Sequence, residues 1–299
     1  MRRQLRILSA GLLAMALGLA AACGGGDEKQ ISVRPAEADL LVSNPSEALG
    51  ASTGKFEDEV DSVEGEFILQ MKIGDVEVGA NGTFAYKAPN SVHMTMDMSG
   101  LGGEELDLGQ LGQFEVLILG EELYVNTSYT GWMSGSIDDF PGGADSLKAL
   151  REGHSPFDYR SLVESLNTKV ENQGDTTIFG KTYTRLRITT DLTTLMKEVS
   201  GSSFGDNGLD PTLLGVDFSS PVTMDILVDP GTLLPFTLET KTKLDFGQES
   251  MDFAMKFKFF DYNGRVDIPE APKDAKPFDQ AFQGSLFGDS QSEFSTGSQ

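Results

Sequence analysis

The sequence predicts an α+β protein built on one large, curved antiparallel β-sheet with a few helices on one side. Most of the chain between roughly Phe56 and Ala271 alternates apolar and polar residues at period two. Such alternation is typical of antiparallel strands with one buried and one wet face. Helical spacing is confined to a few short stretches in the middle of this region. A region of about 215 residues without a repeat or a linker-like break predicts a single domain over residues 56–271.

Methionine is prominent on the apolar side of the predicted strands. In SVHMTMDM it alternates with polar residues, and PVTMDILV and MDFAMKFKFF continue the pattern. Six methionines share this side: Met94, Met96, Met98, Met224, Met251 and Met255. Methionine suits a surface that must re-pack, but at alternate strand positions it is also common as ordinary core. The alternation does not distinguish a hollow interior from a filled one.

Two strand predictions are more specific. FEVLILGEELYV is apolar on both faces in its first half, so we expect this strand to be central or covered twice. PFTLETKTKLDF follows the Asp229-Pro230-Gly231 turn, and its alternation predicts Phe236 and Leu238 on the same face.

Three stretches have apolar residues at helical spacing. SPFDYRSLVESLN has Ser155 as N-cap, Pro156 at the first helical position and Asp158 to complete a capping box. DLTTLMKEVSG ends at Gly201, and ADSLKALREG is a shorter candidate. The narrow apolar stripes suit packing on one face of a sheet. The stripe residues that we expect to face the sheet include Leu162, Leu166, Leu195 and Met196.

The N-terminus resembles a bacterial lipoprotein signal. Three arginines precede an apolar run of 16 residues from Ile7 to Ala22, which suits a signal peptide better than a membrane-spanning helix. The run ends at LAAAC, similar to a lipobox except that Ala20 stands where Leu is commonest. The resemblance implies that residues 1–22 are removed and that Cys23 carries a lipid anchor in the extracytoplasmic leaflet of the cell membrane. The alternative is an ordinary secretory signal with a free cysteine.

Both flanks of the predicted domain are expected to lack fixed structure. Residues 23–55 are rich in Gly, Ser, Pro and charge, which predicts a flexible tether. Residues 272–299 end in GSLFGDSQSEFSTGSQ and are predicted to form a disordered tail.

The net charge excludes some partners. The chain has 23 basic and 46 acidic residues, and loss of the three signal arginines would change its formal charge from −23 to −26. This charge argues against nucleic acid and against broad adhesion to an anionic membrane surface. Cys23 is the only cysteine, so no internal disulfide is possible and stability must come from the core.

Catalytic, cofactor and metal motifs are not found. The two histidines, His93 and His154, fall on a polar strand face and in a predicted loop, and neither a Gly-x-Ser-x-Gly nor a His-Glu-x-x-His pattern occurs. GDTTIFGKT has one residue too many for a phosphate loop and precedes a strand, so it predicts a hairpin with Gly180 at its turn. GDNGLD does not match a calcium loop. We therefore expect no enzyme, no cofactor and no metal.

Three stretches resemble the LppX/LprA/LprF/LprG lipoproteins of actinobacteria. They are GEELYVNTSYTGWMSGS, SPFDYRSLVESLNTKVENQGDTTIFGKTYTRLRITTDL and MDFAMKFKFFDYNGRVDIPEAP. The loops SGSSFGDNGLDPTLLGVDFSSP and SGLGGEELDLGQLGQ have no counterpart in that family.

The resemblance implies a half-barrel sheet related to the LolA and LolB carriers, with helices on its concave face over a hydrophobic cavity. It also implies a monomer that carries a lipid or lipoglycan across the cell envelope, with an envelope transporter as a possible partner. The methionines and the helix stripe residues named above would line this cavity. The alternative is a surface lipoprotein of the same fold with a filled core, which binds a protein or another envelope component.

Overall fold

The computed structural model of the protein describes residues 31–73, 76–97, 112–128, 130–137, 159–164, 168–191, 221–246 and 249–278. Within this part of the chain, twelve strands form a single sheet and helices pack on one of its faces. The predicted fold class, α+β with one large antiparallel sheet, is confirmed.

The described helices are α1 (Pro35–Ser43), α2 (Pro45–Glu59) and α3 (Tyr159–Glu164). The strands are β1 (Ser62–Ile73), β2 (Val76–Lys87), β3 (Ser91–Asp97), β4 (Gln113–Leu119), β5 (Glu122–Thr127), β6 (Gly131–Ser136), β7 (Lys169–Ile178), β8 (Lys181–Asp191), β9 (Pro221–Val228), β10 (Pro235–Phe246), β11 (Glu249–Phe260) and β12 (Lys276–Pro277).

Strand β1 joins the two halves of the sheet. The strand order is β12-β6-β5-β4-β3-β2-β1-β11-β10-β9-β8-β7, antiparallel except for the β12–β6 pair. Asn263, just after β11, donates its side-chain amide to the Glu59 carbonyl (2.8 Å) and its backbone N–H to the Ser62 carbonyl (2.8 Å). The end of α2 therefore lies where β1 begins. We call this end of the sheet the helix end and the opposite one the far end.

Helices α1 and α2 cover one face of the sheet, which we call the inner face. Helix α2 begins at the N-cap Asn44, whose side chain accepts the Glu47 N–H (3.5 Å), with Pro45 at the first helical position. Its buried residues are Ala48, Leu49, Ser52, Thr53 and Phe56. The ring of Phe56 lies 5.9 Å from that of Tyr86 on β2, so the helix packs directly on the sheet.

Helices α1 and α2 correct the prediction of a flexible tether over residues 23–55. Residues 35–43 and 45–55 are helical, and apolar residues from Ile31 onwards pack against the core. The Asn172 side chain of β7 donates to the Leu41 carbonyl (2.8 Å), which ties α1 to the sheet edge. The prediction was wrong because the buried stripe of α2 consists largely of Ala, Ser and Thr. These residues pack closely but give a weak hydrophobic period.

The chain after β11 corrects the predicted boundary of the tail at residue 272. Lys276 and Pro277 pair with β6, and Phe278 is 8% exposed. Gly135 on β6 makes room for Phe278, because a Cβ there would overlap its ring. The folded region therefore extends to Phe278. A two-residue strand is too short to show a period in the sequence.

Several local predictions are confirmed. The helix in SPFDYRSLVESLN is present as α3, and Gly180 stands at the turn between β7 and β8. In β4, Val116, Leu117 and Ile118 are all buried, so this strand is covered on both faces. The predicted helices in DLTTLMKEVSG and ADSLKALREG, His154 and the GDNGLD loop lie outside the described residues.

The prediction that Phe236 and Leu238 lie on the same face of their strand was wrong. The ladder between β9 and β10 shifts between Pro235 and Thr237, so Phe236 does not share a face with Leu238. Its ring stacks instead on Tyr183 at a centroid distance of 4.5 Å. A bulge of one residue reverses the alternation of the strand, and nothing in the local sequence marks it.

Gly65 on β1 allows a close approach that predicts a stability effect. A Cβ at this position would overlap the ring of Phe84 and lie 2.6 Å from the Lys258 carbonyl oxygen. Because that oxygen belongs to the paired backbone of β11, it has little freedom to move. We expect Gly65→Ala to lower the free energy of unfolding by about 1–3 kcal/mol in urea denaturation.

Gly50 in α2 is the matched control for Gly65. No atom lies within 4 Å of a Cβ built there. Gly50→Ala should raise the free energy of unfolding by up to about 1 kcal/mol, because alanine favours the helix. A loss of stability in both variants would contradict the packing described for Gly65.

Candidate functional site

The antiparallel register aligns apolar residues into rows across the inner face. One row consists of Met96, Gly82, Phe67, Phe257, Leu238, Ile226 and Leu186. The next row towards the far end consists of Ala80, Leu69, Met255, Thr240, Met224 and Ile188. Cross-strand neighbours in such rows lie within contact distance of each other. The inner face is therefore a nearly continuous apolar surface.

On strands β1–β4 and β11, coverage of this surface decreases from the helix end to the far end, whereas on β8 and β9 the inner positions stay buried as far as Ile188 and Val222. At the helix end, Val63, Ile118 and Leu123 have no exposed surface. Further along β1–β4 and β11, most apolar side chains at inner positions are only half-buried. We call these residues the inner strip: Leu69, Met71, Phe84, Met94, Met96, Phe114, Met251, Phe253, Met255 and Phe257. A half-covered apolar surface of this extent is typical of a binding site.

Aromatic rings form the boundary between the buried core and the inner strip. Phe257 lies 5.9 Å from Phe67 and 6.2 Å from Phe84, and Phe84 lies 5.5 Å from Phe259. The Phe67 and Phe84 rings each extend over a glycine of the neighbouring strand, where a Cβ would collide with them. Rings that lie over glycine keep the side-chain layer thin.

Five of the six predicted methionines are described, and all five lie on the inner face. Met224 is buried (4% exposed) and belongs to the core, whereas Met94, Met96, Met251 and Met255 belong to the inner strip. The remaining predicted residues lie outside the described side chains: Met98, Leu162, Leu166, Leu195, Met196 and the lipidation site Cys23.

The described inner positions of β1, β2 and β11 offer no charge to a ligand. Every inner position is uncharged from Val63 to Met71, from Ala80 to Tyr86 and from Met251 to Phe259. The buried hydroxyl of Thr240 donates to the Thr223 carbonyl (3.0 Å), so the sheet itself satisfies this group. Burial and, secondarily, the charge of Asp61 raise the pKa of Tyr86, which keeps its hydroxyl neutral.

Charged residues lie on the outer face instead. Arg187 binds Asp225 through two hydrogen bonds (2.7 and 2.8 Å), and this pairing lowers the pKa of the Asp225 carboxyl. His93 lies on this face, as predicted, and its Nε2 is 2.8 Å from a Glu115 oxygen. Two grooves of about 470 and 500 Å³ are lined largely by polar residues, but the lining of the first also includes Met71 and Phe253 of the inner strip and that of the second Met96 and Phe114.

The described residues lack two kinds of feature, a metal-binding cluster and a membrane-spanning helix. No group of three or more His, Cys, Asp or Glu side chains there is arranged to hold a metal ion. No helix in the same part of the chain is both long and apolar enough to cross a membrane.

The sequence reasoning missed two contributors to the site. One is helix α2, which covers the helix end of the inner face; its signal, Asn44-Pro45 followed by Glu47, is present in the sequence. The other is the pair Gly65 and Gly82, which accommodate the aromatic rings. A glycine in a strand indicates close approach only when the partner strand and its register are known.

Comparison with known proteins returns structures but no sequence family. Neither a protein-family model nor a curated protein matches the chain. Lipoprotein LppX of Mycobacterium tuberculosis superposes with a TM-score of 0.44 and 15% identity, covering 76% of this chain and 100% of that one. LprF of Mycobacterium bovis gives a TM-score of 0.39 at 12% identity, covering 80% and 98%. A LolA-superfamily protein of Nitrosomonas europaea gives 0.28 at 11% identity, covering 75% and 94%.

These structures include the proteins to which the sequence motifs pointed. Superpositions of this quality transfer neither a ligand nor a partner, so the proposals below start from the geometry of this chain.

Proposed function

We propose that the protein is an envelope lipoprotein, anchored through Cys23, that binds the acyl chains of a lipid against the inner strip. The observation that carries the proposal is the change in coverage along the inner face. Its positions are fully buried at the helix end and half-buried in the inner strip, although both sets are apolar. A protein with a filled core has no need for ten large apolar side chains that remain partly accessible.

The dimensions of the strip suit a hydrocarbon chain. It crosses β4, β3, β2, β1 and β11, and neighbouring strands are about 4.8 Å apart, so its width is roughly 19 Å. The strip also extends along the strands, from Leu69 to Met71 on β1 and from Met251 to Phe257 on β11. Five methionines in this surface can adjust to chains of different length and branching.

The energetics are compatible with exchange between the protein and a bilayer. Burial of a 16-carbon chain gains on the order of 12 kcal/mol at about 0.8 kcal/mol per CH₂. A bilayer offers a similar gain, so transfer is close to neutral and reversible. Because the inner positions carry no charge, a phosphate or carboxylate headgroup would remain outside the strip.

Native mass spectrometry tests the proposal. The chain from Gly24 to Gln299, without the anchor, is purified from a bacterial membrane background and measured before and after organic extraction. We expect a discrete mass excess that disappears on extraction and is identified as an acylated lipid. A mass without ligand, together with no uptake from added phospholipid vesicles, would contradict lipid binding. It would favour the partner-binding alternative with a filled core.

A further inference from the structure

The turn between β7 and β8 presents a fully exposed aromatic side chain. Phe179 is 100% exposed, and its φ of 51° lies in the left-handed region. Gly180 follows with a φ of 82°, and Ile178 pairs with Lys181 across the turn. Two successive positive φ angles in a two-residue hairpin loop favour Asn-Gly, not Phe-Gly. Phenylalanine at this position costs stability in both backbone strain and solvent exposure.

The hairpin is held firmly by its neighbours. The Lys181 ammonium lies 2.6 Å from a carboxylate oxygen of Asp229 in the β9–β10 turn and 5.6 Å from the centre of the Tyr183 ring. Tyr183 in turn stacks on Phe236. A fixed hairpin therefore presents the ring of Phe179 to solvent.

The N-terminal end of the folded domain lies at the same end of the sheet. The Lys55 ammonium binds the Ser32 carbonyl (2.6 Å) and the Glu59 carboxylate (2.8 Å) near the end of α2. In the antiparallel sheet, β7 ends and β8 begins at the helix end, where β1 begins. Ile31 packs against the core, so it is also held close to this end.

The chain between the proposed anchor and the folded domain is short. Seven residues lie between Cys23 and Ile31, and the eight Cα–Cα steps that join the two residues span at most about 28 Å. A membrane anchor at Cys23 therefore keeps the helix end close to the bilayer. Among the other described turns at this end, the exposed residues are Pro89, Glu121, Gly231 and Asp261, none of which is a large apolar side chain.

We propose that Phe179 is a membrane-contact residue that inserts into the interface of the bilayer carrying the anchor. The proposal rests on the lipid anchor proposed above. A phenylalanine ring can bury its apolar surface at the boundary between headgroups and acyl chains, and the short tether supplies the high local concentration that one ring needs. In this orientation the inner strip, which lies towards the far end, points away from the anchoring bilayer.

The test replaces residues 1–23 with a histidine tag and attaches the protein to phosphatidylcholine vesicles that contain a nickel-chelating lipid. Trp132, the only tryptophan, is changed to Phe. Phe179→Trp then reports on the turn, and Gln173→Trp, exposed on the same strand, is the matched control. We expect attachment to shift the emission of the first variant to shorter wavelength, with quenching by brominated acyl chains. The control should show neither effect.

Either of two results would overturn the contact: no quenching in Phe179→Trp, or equal quenching in both variants. Fatty-acid uptake is measured on the same samples. Quenching of Phe179→Trp without any fatty-acid uptake would contradict the proposed ligand binding and support the membrane contact. Failure of the proposed function and failure of the membrane contact therefore give different results.

A second variant tests whether Phe179 lowers the stability of the protein. Because asparagine prefers the left-handed conformation, Phe179→Asn should raise the melting temperature by about 2–4 °C and leave fatty-acid uptake unchanged. A lower melting temperature would show that Phe179 serves the fold, which would contradict its assignment to the membrane.

Discussion

Leu69→Asp is expected to abolish most of the lipid binding. Leu69 lies in the inner strip, next to Ala80 and Met255 in the register. A carboxylate there would have to be buried under an acyl chain without a partner, or be protonated at a cost. We expect binding of a fluorescent fatty acid to weaken roughly 10- to 100-fold, equivalent to about 1.4–2.8 kcal/mol.

Ile68→Asp is the matched control for this prediction. Ile68 is the preceding residue on β1, points to the outer face and is 45% exposed. The same charge introduced there should leave binding unchanged, and circular dichroism should show that both variants are folded. Equal binding by the two variants would place the ligand elsewhere than on the inner face.

Leu49→Ala is expected to cause the largest loss of stability. Leu49 is fully buried (0% exposed) between α2 and the sheet, and its removal leaves a cavity. Substitutions of this type lower the free energy of unfolding by about 2–5 kcal/mol. Chemical denaturation of the chain from Gly24 to Gln299 would measure the change.

Val42→Ala on α1 provides the comparison for Leu49, because Val42 is 75% exposed. Its free energy of unfolding should change by less than about 0.5 kcal/mol. If Leu49→Ala were equally silent, α2 would not be part of the folded domain and the original expectation of a tether would be restored.

The strands could be predicted from the sequence because apolar and polar residues alternate within each of them. The alternation along β3, β9 and β11 assigns Met94, Met224 and Met255 to the apolar face of their own strands. This assignment does not require knowledge of which strands pair. The pairing order, in which β1 joins β2 to β11, brings residues about 190 positions apart into contact. No local pattern specifies such a pairing, so the continuous inner strip was not predictable from the sequence.

The helices at the start of the domain were missed for a different reason. Most buried residues of α2 are small or weakly polar, among them Ser52 and Thr53, and their burial depends on the sheet beneath them. The capping residues around Asn44 were available as a signal, but the high Gly, Ser and Pro content of the segment outweighed them. Composition is an average over the whole segment, whereas the packing of α2 depends only on the residues of its buried face.

The helices found in place of the predicted tether also change the expected distance between the domain and the bilayer. A tether of about 30 residues would let the domain stand off the bilayer, whereas the seven residues between Ile31 and the anchor proposed at Cys23 would hold it near the surface. The membrane contact proposed for Phe179 depends on this short distance.

Photo-crosslinking is the most direct test of the central claim. A fatty acid with a diazirine on its acyl chain is loaded onto the chain from Gly24 to Gln299 and irradiated, and the modified residues are mapped by peptide mass spectrometry. We predict adducts on the peptides that carry Met94, Met96, Met255 and Phe257. Adducts confined to outer-face residues such as Ile68, or none despite measurable binding of the fatty acid, would contradict a lipid site on the inner face.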